Sequence, residues 1–94
     1  MLSDIPKNLS KVNPADLDKE ILRVGIIAEL DAVNLYEQMA AMAKDKNIKK
    51  MLLDIAKEEK THVGEFQALL LNRDKQQVKE LEAGKEEVKE EVGE

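Results

Sequence analysis

Four side chains of this 94-residue sequence could do chemistry: Glu29, Tyr36, Glu59 and His62. Glu29 interrupts an apolar stretch that runs from Gly25 through Ile26, Ile27, Ala28 and Leu30 to Val33. A carboxylate on such a face is costly to bury unless it is paired, protonated or bound to a metal. Tyr36 follows seven residues later, two helical turns along the same face. Glu59 and His62 stand three apart, so on a helix they project from one side. His62 is the single histidine. Carboxylates and a neutral imidazole together form a donor set that suits iron.

The elements that must position these groups follow from apolar periodicity. Asn13 has the chemistry of an N-cap, Pro14 suits a first helical position, and Asp16 lies where the helix dipole favours acids. Apolar residues then recur at helical spacing at Leu17, Ile21, Val24, Ile27 or Ala28, Ala32, Leu35, Met39 and Met42. This predicts a helix of about 30 residues, roughly 45 Å long. Asp45-Lys46-Asn47 breaks the pattern, and Asn47 is a candidate cap for a second helix ending near Asn72. A short loop between two long helices predicts an antiparallel hairpin. No alternating strand pattern is present, so the fold class is all-α.

With the turn centred near Lys46, Glu29 lies 17 residues before it and His62 lies 16 after it. The two therefore fall at one height of the hairpin, with Glu59 within a turn. A hairpin cannot bury apolar residues spread around its first helix, so two hairpins are expected to pack as a four-helix bundle. A two-fold pairing doubles the set to four carboxylates and two imidazoles. That is the di-iron carboxylate pattern, a Glu from each of two helices and a Glu-x-x-His from each of the other two.

Other readings of these residues stand beside this one. Glu58-Glu59-Lys60 also has the composition of a solvated surface, and Tyr36 that of a packing residue with a satisfied hydroxyl. Glu37, Glu58 and Glu65 read as surface acids, as does Asp31 unless it lines a metal access path. Met39, Met42 and Met51 read as adaptable core filler. Gly25 in mid-helix costs about 1 kcal/mol against Ala, which points to a close helix approach or to nothing. Two alternative functions remain open: a structural dimerisation or assembly domain, and a passive module holding zinc or manganese.

Composition excludes several classes. There is no Cys, hence no disulfide framework, zinc ribbon or iron–sulfur cluster. No apolar run reaches the ~20 residues of a membrane span, and no prefix reads as a signal peptide. With 15 basic against 20 acidic residues, the chain is a poor nucleic-acid binder. Most of the net charge of −5 lies in residues 74–94, with four lysines against eight acids. Val78, Leu81, Val88 and Val92 give this tail a thin apolar stripe, and Gly84 is expected to break it. The organisation expected is an irregular segment over 1–13, a helical hairpin over 14–73, and a short helix to about Ala83 with a solvated Lys/Glu tail over 74–94. A chain this short buries a limited core, so oligomerisation or a bound metal is the expected stabiliser.

Over Asp18 to Asp74 the sequence resembles the encapsulated ferritins. The likeness is carried by Ala28-Glu29-Leu30-Asp31-Ala32-Val33-Asn34-Leu35-Tyr36 and by Glu58-Glu59-Lys60-Thr61-His62. It implies a two-helix protomer with a short C-terminal helix, half of a ferritin bundle, whose ferroxidase centre exists only at a dimer interface. It further implies a ring-shaped decamer that oxidises Fe(II) with dioxygen for mineral storage inside a cytoplasmic encapsulin nanocompartment. By residue, it assigns Glu29, Glu59 and His62 from each of two subunits as ligands of a di-iron centre, Tyr36 as its neighbour, and Asp31 as the match of a Glu at the metal access route. The family often has an acid where Ala28 stands and an aromatic where Leu35 stands. Its usual shell-docking peptide is not recognisable in Glu86 to Glu94. Some archaeal relatives carry the domain joined directly to the shell protein, and the Lys/Glu tail suits such a linker.

Overall fold

The computed structural model describes residues 8–94. Pro6, and with it the start of the expected irregular segment, lies outside them. Leu9–Lys11 forms one 3-10 turn, followed by the helices α1 (Leu17–Met42), α2 (Lys46–Leu71) and α3 (Lys75–Val92). No strand occurs among the described residues, and none of their helices is long and apolar enough to cross a membrane.

α1 begins at Leu17, three residues later than the Asn13-Pro14 cap signal suggests. The Asn13 side chain accepts from the Ala15 N–H (3.0 Å), and the Asp16 N–H donates to the Asn13 carbonyl (2.8 Å). Asn13 therefore folds a local Asx turn instead of capping the helix. α2 begins before Asn47, because Asp45 is its cap. The Asp45 carboxylate accepts from the backbone N–H groups of Asn47 (2.8 Å) and Ile48 (3.0 Å). Asp45 has the extended backbone a cap requires (φ −74°, ψ 127°), whereas Asn47 already lies inside the helix.

α1 and α2 pack antiparallel along their length, joined through Ala43, Lys44 and Asp45. Among the described residues the buried core is small: Leu22, Val33, Ala40, Ala56 and Leu70. Ala40 permits close approach near the turn, and Ala56 does so one turn before Glu59. Larger apolar side chains stay in solvent, including Ile27, Leu30, Ile48 and Leu53. So do Met39, Met42 and Met51, which in the single chain are exposed and fill no core.

α3 runs unbroken past Gly84 to a left-handed Gly93 at its C-terminus (φ 75°). The tail is thus more helical than expected. A glycine lowers helix propensity by about 1 kcal/mol, which regular neighbours absorb. α3 meets only the end of α2 and then leaves the hairpin. Asp74 anchors this departure. Its carboxylate caps α3 through the Gln77 N–H (3.0 Å) and accepts from Arg23 of α1 (2.9 Å). Arg73 closes α2 by donating to the Leu69 carbonyl (2.8 Å).

Candidate metal centre

The turn is centred on Lys44, two residues earlier than the spacing argument took it. Glu29 and Glu59 then lie 15 residues to either side, and His62 one turn further along α2. Glu29, Glu59 and His62 each offer one ligating atom, and these atoms lie within 4.8 Å of one another. His62 Nδ1 is 3.4 Å from Glu29 Oε2 and 3.4 Å from Glu59 Oε2. The three groups that the sequence singled out therefore converge.

Glu29 Oε2 is the informative atom. It is buried and makes no hydrogen bond, although His62 Nδ1 lies nearby. A single ring N–H placed between two carboxylates at these separations does not satisfy both. Leaving a buried carboxylate oxygen without a partner costs on the order of 1–3 kcal/mol. A divalent cation among these atoms would remove that cost, and two carboxylates with an imidazole are a donor set it accepts. The residues therefore fit a metal. Three donors from one chain would leave coordination positions open for water or for the ligands of a second copy.

Access to the cluster runs through an open cleft of about 280 Å³ lined by Glu29, His62, Glu65, Phe66 and Leu69. A slightly larger cleft, about 310 Å³, lies between the hairpin and the start of α3. It holds no ligating carboxylate or histidine, so the chemistry belongs to the smaller one. Glu65, read from the sequence as a surface acid, stands exposed at that cleft.

Tyr36 is half-buried on α1, two turns beyond Glu29. Asp31 is also half-buried and stands outside the three-residue group. Two steps along a helix turn the chain by about 200°, so Asp31 leaves α1 on the side away from Glu29. Lys60, adjacent to Glu59 in sequence, reaches across the hairpin to Glu37 (3.1 Å). Both ends of that pair are exposed, so it adds little stability. It does hold the Lys60 ammonium on Glu37, clear of the clustered carboxylates.

Gly25 proves to mark a close approach. A Cβ built on it would lie 3.1 Å from Phe66 Cε1 and 3.2 Å from both Cδ1 and Cε2. The contact follows from the register once the hairpin is known. Gly25 is four residues before Glu29, and Phe66 four after His62, so the two pairs are successive layers of one antiparallel register.

An antiparallel helical hairpin with Glu on one helix and Glu-x-x-His on the other defines a ferritin-like protein. The chain belongs to the rubrerythrin family, whose model matches residues 20–93. It is 58% identical over 95 residues, 99% of this chain, to the ferritin-like-encapsulin shell fusion protein of Pyrococcus furiosus. The chain spans 28% of that relative's length. It is also similar to the crystal structure of the encapsulated ferritin domain from Pyrococcus furiosus. There the TM-score is 0.85 at 56% identity, over 100% of this chain and 98% of the other.

Proposed function

We propose that this chain is the ferroxidase domain of an encapsulated ferritin, oxidising Fe(II) with dioxygen at a centre completed by two copies of the chain. The observation that carries the reading is the buried, unpartnered Glu29 Oε2 set against Glu59 and His62. In this reading Fe(II) is the substrate. Glu29 and Glu59 from each copy supply four negative charges, which balance two divalent cations. The His62 rings supply neutral nitrogen donors. Each Fe(II) surrenders one electron, and dioxygen accepts them.

Two features support the pairing. One chain leaves coordination positions of the cation open, and the hairpin leaves Ile27, Leu30, Ile48 and Leu53 in solvent. A ring-shaped decamer built from such dimers is the assembly the family likeness suggests. Tyr36 is then a neighbour of the centre. Asp31 serves the access route on the outer side of α1, the side that its two-residue offset from Glu29 requires. The fusion in the Pyrococcus relative suggests an encapsulin shell as partner, joined in cis, with Fe(III) stored as mineral inside the nanocompartment in the cytoplasm.

The test is anaerobic loading with two Fe(II) per dimer, followed by air, with near-ultraviolet Fe(III) absorbance followed against a protein-free control. Fast growth of the signal that is suppressed in Glu29→Ala and His62→Ala is expected. Growth no faster than the control in the unmodified chain would leave a passive metal-binding module if elemental analysis finds stoichiometric metal, and a structural assembly domain if it finds none.

A further inference from the structure

The Gly25–Phe66 contact lies one turn from the Glu29–His62 contact on the same face of the hairpin. Antiparallel helices match four steps back on one with four steps forward on the other, so the two pairs stack as adjacent layers. Three ring carbons of Phe66 are nearly equidistant from the point a Gly25 Cβ would occupy, 3.1 to 3.2 Å away. The ring therefore lies broadside on bare α1 backbone. It is also half-buried and lines the cleft that Glu29 and His62 line. Any side chain at position 25 would push the ring away from α1, into that cleft or against the α2 backbone that carries His62.

We propose that Gly25 is a positioning residue for the Glu29–His62 pair. Its missing Cβ seats the Phe66 ring on α1 and so sets the separation of α1 and α2 at the layer where the carboxylate faces the imidazole. The metal consequence rests on reading the cluster as a metal centre, whereas the seat itself does not. Packing density makes the layer sensitive: a contact closer than ordinary van der Waals distance is relieved by moving a neighbour, and well-packed interiors transmit such shifts.

The test uses the full chain with Gly25→Ala, Gly25→Val and the double variant Gly25→Ala/Phe66→Leu. Two readouts are taken: the NMR signals of the His62 ring in metal-free protein, and Co(II) affinity from its visible absorption. Gly25→Ala is expected to move the His62 ring signals and to weaken Co(II) binding about tenfold, the low end for groups that support metal ligands. Gly25→Val should do more, and the double variant should recover both signals. A contact that serves stability alone would change the melting temperature and leave the His62 signals in place.

Wild-type His62 signals and Co(II) affinity in Gly25→Ala would overturn the proposal, and so would a double variant that recovers neither. Should Gly25→Ala fail to fold, a folded double variant supports the seat, and a double variant that also fails to fold overturns it. If the unmodified chain takes up no Co(II), the metal-centre reading falls, and the NMR arm alone decides whether Gly25 places His62.

Discussion

Glu29 has the same feature for function and for stability: an oxygen held out of water with no proton donor of its own. Such an atom costs folding free energy that a bound cation would offset. We therefore predict opposite effects for Glu29→Leu. In chelator it should stabilise the chain against urea by about 1 kcal/mol, the low end for a buried unpaired polar group, because the Glu29 side chain keeps 20% of its exposure. In Co(II) it should lose the stabilisation that the unmodified chain gains. Urea melts of both proteins with and without metal check this, and equal destabilisation of the variant under both conditions would sink it. The three clustered residues were legible in the sequence because each breaks an apolar pattern at a helical interval. Phe66 was not, because one aromatic in an apolar stripe has no visible partner until the register is known. The Lys60–Glu37 pair was hidden for a similar reason, since exposed charges carry no periodic signal.

At the scale of elements, the three helices and the hairpin were readable from periodicity, while their ends depended on which of several polar residues supplies a cap. Asp45 outcompeted Asn47, and Asn13 spent its side chain on a turn. The junction between α2 and α3 rests on Asp74, and its effect depends on pH. The Gln77 N–H, and then the Arg23 guanidinium, hold its carboxyl below the ordinary range. A carboxyl lowered in the folded state contributes stability above its unfolded value, near 3.9, and loses it as pH falls through the folded value. We predict that α3 frays from about pH 4 downward, and that part of this loss is absent in Asp74→Asn. The measurement is the difference between the two far-ultraviolet circular dichroism titrations, and superimposable curves would refute the role. Gly84 sits in the same helix with open space around its Cα. Gly84→Ala should therefore stabilise α3 by about 0.5–1 kcal/mol, seen as added helicity, in contrast to Gly25, where a Cβ meets an aromatic ring.

The whole molecule is an incomplete object by its own surface. Among the described residues five buried apolar side chains form the core, while Ile27, Leu30, Ile48, Met51 and Leu53 face water on the hairpin. A ferritin-like bundle has four helices around one core, whereas here two helices pack as a hairpin and a third departs from it. The same incompleteness marks the Glu29–Glu59–His62 cluster, whose three donors would leave coordination positions of a cation open. If one act of pairing repairs both, association and metal binding are linked, and each must strengthen the other. We predict that Co(II) raises the sedimentation coefficient at low protein concentration and that chelator lowers it. The melting temperature should rise with both protein and metal concentration, by an amount equivalent to about 2.7 kcal/mol when free metal exceeds its Kd a hundredfold. His62→Ala should abolish the metal dependence and keep the dependence on protein concentration, because the apolar faces remain. A chain that binds Co(II) tightly as a monomer, with no change in sedimentation, would show that the ligands come from one copy and would dissolve the link between assembly and the centre.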